Sequence, residues 1–241
     1  MNISILGCGW LGIPLAETLI RNGFSVKGST TSPSKLPILQ AKGIDAFQIA
    51  LEPDAVEGDI TTFLKDADVL IIDIPPRFHF SQKTAALAPM IEQSGVEKVL
   101  LVSSISVYED SNLVVTEADV PNPKTEKSKQ LFDAETVLRD NPNFKTTVLR
   151  FGGLIGANRH PVKFLAGETN LENPDAPVNL IHLEDCIGIV SRILETETWG
   201  ETFNAAAPYH PTRQDYYQKK ATEFNLMPPK FNHSKKSTGK T

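Results

Sequence analysis

The stretch ILGCGWLG sets Gly7, Gly9 and Gly12 in the spacing G-x-G-x-x-G, between an apolar run and an amphipathic one. Residues without a Cβ allow a tight turn, close approach of the backbone to a pyrophosphate, and close contact of the next helix with the preceding strand. The helix N-terminus adds N–H donors for the anion, so Trp10 and Leu11, inside the turn, are counted with the three glycines as cofactor-binding. The side chains of Cys8 and Trp10 would pack or cover the pyrophosphate rather than react. The competing reading of the motif is a glycine turn that serves packing only. Nucleotide preference is set about 20 residues further on, where an Asp or Glu would bind a ribose 2′-hydroxyl. VKGSTTSPSK has no acid there: Ser29, Thr30 and Thr31 offer hydroxyl donors and Lys35 a cation, which favours NADP(H) over NAD(H). Lys35 reads equally as a solvated loop charge. Pro75, the first of two prolines closing a later apolar run, is assigned to the same cofactor site.

These residues need a scaffold, and the text around them alternates between short apolar runs and amphipathic stretches in the manner of βαβ units. NISILG, FSVKGS, DAFQIAL, ADVLIIDIPP, EKVLLVSSISVY and FKTTVLRFGGLIG read as six strands. IPLAETLIRNG, KLPILQAKG (interrupted by Pro37), DITTFLKD, TAALAPMIEQSG and KTEKSKQLFDAETVLR read as the helices between them. Runs such as VLIIDI and VLLVSS are apolar on both faces, as buried parallel strands are. The pattern predicts an α/β fold, a Rossmann-type doubly wound parallel sheet over residues 1–153. Residues 154–241 would complete the sheet and form a small C-terminal substrate cap. Beyond the sixth strand only LIHLEDCIGIVSRILET, a short strand into a helix, and ETFNAAAP, a strand, are legible. The closing FNHSKKSTGKT shows no element that would tie it down.

Composition narrows the class. Of 241 residues, 40% are hydrophobic and 22% charged, which suits a globular chain and excludes a fibrous or disordered one. The net charge of −5, with basic residues clustered only in the tail, argues against nucleic acid as a partner. Cys8 and Cys186 are too few and too far apart for a disulfide framework or a zinc site. No stretch approaches the roughly 18 apolar residues of a membrane span, and the N-terminus is too glycine-interrupted for a signal peptide. A soluble, cytoplasmic protein with no metal and no membrane partner is expected.

The fifth strand ends in Ser103, Ser104 and Tyr108, and from this point the chain resembles the short-chain dehydrogenase/reductase superfamily, in its extended and atypical branch of NAD-dependent epimerases and dehydratases. The glycine turn, SSISVYED, LRFGGLIGANRHP and NLIHLEDCIGIV carry the resemblance in the family's order. It implies that Ser104 hydrogen-bonds the reacting oxygen. It also implies a Y-x-x-x-K pair on one helix face, whose lysine is Lys129 and whose tyrosine position holds Thr125. A threonine hydroxyl is far too weak an acid to replace a phenol near neutral pH. Tyr108, His160 or a water held by Ser104 and Thr125 would have to supply the proton, although Tyr108 reads more readily as packing under the helix and His160 equally as a surface-loop imidazole. Lys129 would still bind ribose hydroxyls, the competing reading of EKSKQ being the exposed, charged first turns of a helix. His182 and Asp185 are similar to positions that support the substrate pocket, Asp185 reading equally as a helix cap. Two functions follow from the resemblance: an NAD(P)-dependent oxidoreductase or epimerase on an unknown small molecule, as a possible homodimer, or an inactive protein that senses NADP(H). The chain is short for this branch, so the cap is expected to be reduced or the C-terminus truncated.

Overall fold

The computed structural model describes residues 1–241. The chain starts in the middle of a sheet with β1 (Asn2–Leu6), passes through α1 (Gly12–Arg21), and returns as β2 (Ser25–Thr30). A 3-10 turn (Pro33–Lys35) leads into α2 (Leu36–Ala41) and β3 (Asp45–Gln48). There follow the antiparallel ribbon β4 (Ala50–Glu52) and β5 (Ala55–Glu57), then α3 (Ile60–Leu64), β6 (Val69–Ile72), α4 (Phe80–Ser94) and β7 (Lys98–Ser104). A second 3-10 turn (Ile105–Val107) precedes α5 (Glu126–Arg139), β8 (Lys145–Phe151), β9 (Gly153–Ile155), α6 (Val162–Leu165), β10 (Leu180–His182), α7 (Leu183–Thr196), β11 (Thr202–Ala205) and α8 (Arg213–Glu223).

Seven of these strands form one parallel sheet in the order β11-β8-β7-β6-β1-β2-β3, an α/β Rossmann fold. The chain winds outward from β1 to β3 and then crosses to β6 on the other side. The order therefore reverses between β1 and β6, and a crevice opens at their carboxyl ends. Alternation along the central strands makes two cores. Ile3, Ile5, Val69, Ile71 and Leu100 pack beneath α1 and α7; Leu70, Ile72, Val99 and Leu101 pack beneath α4 and α5.

One charged network crosses the second core. Arg150 of β8 and Glu135 of α5 are 1% and 0% exposed. Arg150 donates through Nε and Nη2 to the Glu135 carboxylate, at 2.6 Å from Nη2, and through Nη1 to the Tyr108 hydroxyl at 2.6 Å. Ser103 Oγ donates to Glu135 Oε1. The network pins α5 to the ends of β7 and β8, because each partner loses its compensation if α5 shifts.

Several elements differ from the sequence reading, each for a physical reason. Pro37 does not interrupt the second helix but stands in its first turn, where no N–H is needed. DAFQIAL divides into β3 and the start of the ribbon. FKTTVLRFGGLIG divides at Gly152, and β9 leaves the sheet to pair with β10. The helices α6 and α8 were not visible as elements, since α6 is a single turn and only Tyr217 and Ala221 of α8 are buried, against Val162 and Val178. The tail is held firmly: Asn112 N donates to Gly239 O and Val115 N to Thr241 O, both at 2.7 Å, and Lys240 pairs with Asp110 at 2.6 Å. Its partners are backbone and polar side-chain groups of distant loops, so no apolar periodicity marks it. No helix is long and apolar enough to cross a membrane.

Removing Glu135 leaves a guanidinium buried without its counter-charge. Glu135→Ala is expected to lower the unfolding free energy by about 3–5 kcal/mol, and Ser103→Ala by about 1 kcal/mol; urea denaturation followed by circular dichroism checks the order.

Candidate functional site

The three motif glycines have different duties. Gly7 has φ +108°, and a Cβ there would lie 2.2 Å from the carbonyl oxygen of Asp73; a Cβ on Gly12 would lie 2.4 Å from the carbonyl oxygen of Gly7. Packing alone demands both. A Cβ on Gly9 would meet nothing within 4 Å, so the protein itself gives no reason for glycine there. The N–H groups of Trp10 and Leu11 donate to no protein acceptor, while those of Gly7 and Cys8 are taken by Ser29 Oγ and O. Open space over Gly9 beside two free donors at the start of a ten-residue helix fits a dinucleotide pyrophosphate.

The crevice at the strand ends encloses about 450 Å³ and is lined by Gly9, Trp10, Leu11, Pro75 and Ser104, all five expected. It also takes in Asp73, Lys127, Leu131 and Arg159, which the sequence reading missed. Arg159 lies with its guanidinium 5.1 Å from the centre of the Trp10 ring. Beside it, a cavity of about 280 Å³ is lined by Ser29, Thr30, Thr31 and Pro75 together with Glu52, Arg77 and Lys83. Lys83 faces Glu52 at 3.5 Å. Lys35 does not reach this cavity; it is exposed in the 3-10 turn, and Arg77 and Lys83 are the cations there.

The expected pair on α5, Thr125 and Lys129, does not line the crevice. Thr125 is the N-cap, its Oγ1 accepting from Ser128 N and its N donating to Ser128 Oγ, each at 3.1 Å, in a capping box. Lys129 is exposed and outside the crevice. Two residues are about 200° of helix, so the residues four apart that line the crevice are Lys127 and Leu131. The burial of Ser128, Leu131, Glu135 and Leu138 sets that rotation.

Three further expected residues are also absent from the crevice wall. Tyr108 is buried, and its hydroxyl accepts from Arg150 and lies within reach of Thr116 O at 3.1 Å and Asn204 Oδ1 at 3.2 Å. It packs under the network of α5. His160 is 8% exposed between α6 and α8, where Nδ1 accepts from Val162 N and Nε2 meets the Tyr216 hydroxyl at 3.0 Å, with its ring stacked on Tyr216. Burial and the nearby Lys220 and Lys163 lower its pKa. His182, rather than Asp185, caps α7, accepting from Glu184 N.

Asp73 carries the largest electrostatic anomaly in the crevice. Burial pushes its carboxyl up to about 7, against partial relief from the Gly12 N–H and the charge of Arg159. The acid was visible in VLIIDIPP, but the apolar run around it hid that the residue just after β6 stands under the glycine turn.

The profile of a family described as NAD(P)H-binding matches residues 7–179. Protein YeeZ of Escherichia coli (strain K12) is 35% identical over 240 residues, 97% of this chain and 87% of that protein. A functionally unknown conserved protein from Silicibacter pomeroyi DSS superposes with a TM-score of 0.79 at 22% identity, over 96% of this chain and 81% of that one. UDP-glucuronic acid 4-epimerase from Bacillus cereus, in complex with UDP-glucuronic acid and NAD, superposes with a TM-score of 0.78 at 18% identity, over 98% and 87%.

Two outcomes test this geometry. Gly9→Ala should leave the unfolding midpoint unchanged while weakening dinucleotide binding, whereas Gly12→Ala should cost about 1–3 kcal/mol of stability through backbone overlap; thermal melts with and without NADPH separate the two. For Asp73 the unfolded chain loses its proton near pH 4, and the folded chain near 7. The folded state therefore holds the extra proton between these values, and stability declines as pH rises through that window. Asp73→Asn should match the wild type near pH 4, exceed it increasingly up to pH 7, and hold a constant advantage above.

Proposed function

The chain belongs to the NAD(P)H-binding family and has the fold of the short-chain dehydrogenase/reductase and epimerase structures, and on this footing we propose that it is an oxidoreductase or epimerase using NADP(H) in preference to NAD(H). Its substrate is a small molecule, and it works in the cytoplasm. The observation that carries this reading is that Ser104 and Lys127 share one crevice with Gly9 and the free N–H donors of the glycine turn. A nicotinamide bound there supplies or accepts a hydride.

The chain's own residues do the rest. Ser104 Oγ accepts from Ser106 N at 3.1 Å and keeps its hydroxyl proton, which it can donate to a substrate oxygen. Lys127 has no carboxylate partner, so its ammonium is free to hold ribose hydroxyls or to deliver a proton beside Ser104. Leu131, one turn on, presents an apolar side chain that excludes water. Arg159 and Trp10 flank the pyrophosphate position. The NADP(H) preference is supported by Ser29, Thr30 and Thr31 standing where an acid would otherwise sit. It is also supported by Arg77, whose charge remains after Lys83 and Glu52 offset each other. A reducing compartment suits the two buried free thiols.

NADPH is expected to bind about tenfold or more tightly than NADH, the worth of a charge-assisted hydrogen bond, with Arg77→Gln bringing the two together in a fluorescence titration. On a panel of carbonyl compounds, Lys127→Met should cut turnover by about 10²-fold or more, and Lys129→Met should change it by less than about twofold. Loss of turnover in the Lys129 variant alone would return the pair to its sequence-based register. Binding without turnover on any compound would leave a nucleotide-sensing protein.

A further inference from the structure

Beyond Ser104 lies a second cavity of about 290 Å³, and Ser104 and Ser106 stand in the wall of both it and the dinucleotide crevice. Whatever occupies the second cavity therefore meets the serine that faces the cofactor. Its lining is mixed, with Asn173, Asn179, Arg213 and Lys240 besides the two serines on the polar side and Ile105, Ala176 and Pro177 on the apolar side. The charges there are not balanced. Asp110 is held by Lys240 at 2.6 Å, while Arg213 has no carboxylate partner. Arg213 is instead positioned by a neutral pair of contacts, Nη1 donating to Glu172 O at 2.7 Å and the guanidinium carbon lying 5.7 Å from the Phe231 ring centre. Most of its fork of donors remains unused.

Asn179 supplies an independent sign. Its Nδ2 donates to Lys240 O at 2.7 Å, which fixes the orientation of the amide. Its Oδ1 is then buried with no donor. Buried acceptors are almost always satisfied, and one left without a donor on a residue of the cavity wall marks where a ligand hydroxyl or N–H can pair. The volume is that of about ten waters at about 30 Å³ each, enough for a small metabolite and too little for a nucleotide sugar.

The geometry points to a subsite for a small hydroxylated anion, a carboxylate or a phosphate, bound by Arg213, with Asn179 Oδ1 accepting from a substrate hydroxyl and the reacting carbon held at Ser104. This names the substrate class of the oxidoreductase reading and rests on it. The anion end takes the guanidinium fork, the strongest neutral-pH partner for a planar or tetrahedral oxyanion. Neutral polyols lack that contact, and bulky nucleotides lack the room.

Calorimetry on the full chain saturated with NADP⁺ tests the assignment, with glycerate and gluconate as carboxylates, glycerol phosphate as the phosphate, and glycerol, sorbitol and UDP-glucose as controls. At least one hydroxylated anion should bind and all controls fail, and the carboxylate and phosphate arms tell which oxyanion is taken. Arg213→Gln should weaken that anion by about tenfold or more, and Asn179→Asp should weaken it as well through repulsion. Arg213→Lys should fall between. NADP⁺ affinity should be unchanged in all three variants, which also shows that they fold. The subsite is overturned if no anion of the panel binds the NADP⁺-loaded protein, if glycerol, sorbitol or UDP-glucose binds as well as the anions, or if Arg213→Gln keeps full anion affinity. Failure of NADP⁺ itself to bind the wild type would instead overturn the dinucleotide reading.

Discussion

The carbonyl of Asp73 and the missing side chain of Gly7 occupy the same few ångströms, and the architecture of the site descends from that contact. Because a Cβ at Gly7 would sit 2.2 Å from the Asp73 oxygen, β1 and β6 can bring their carboxyl ends together only with glycine there. That closeness lets α1 leave the sheet directly over the end of β6, with Gly12 against Gly7 in turn. The same closeness places an acid beneath the turn that is to receive an anion. Burial raises the proton affinity of Asp73, so near neutrality the carboxyl is partly neutral, which softens its repulsion of a phosphate.

The second fixed point is the ion pair of Arg150 and Glu135. Its own contribution to stability is modest once desolvation is counted, but its geometry admits only one rotation of α5. With Glu135 held to β8, the face of the helix toward the crevice is Lys127 and Leu131, and Ser103 is drawn into the same network one residue before Ser104. A charged pair in the core thus acts on the crevice by orientation.

The glycine turn, the apolar central strands and the order of the βαβ units were legible because each is a local pattern with one physical meaning. VLIIDI and VLLVSS are apolar on both faces, as buried parallel strands are, and the empty space over Gly9 agrees with the ligand that the motif implied. The rotation of α5 was not legible in the same way. A spacing of four residues holds for every starting point on a helix, and which start faces the crevice is decided by Glu135 and Arg150, 15 residues apart. His160 shows the same limit: its partner Tyr216 comes from α8, 56 residues away, in a segment with no apolar stripe of its own. Lys35 was chosen for its nearness in sequence, whereas Arg77 and Lys83 arrive from the far side of the topological reversal.

The strap formed by the tail divides the molecule by order of synthesis. Lys240 closes on Asp110 across 130 residues, and with Thr238 and Gly239 it builds one wall of the polar cavity. The glycines of the turn, by contrast, pack against Ser29, Asp73 and Ile74, all within the first 74 residues. The backbone contacts that shape the glycine turn therefore lie far from the strap in sequence, and changes near the strap can alter the polar cavity without touching them.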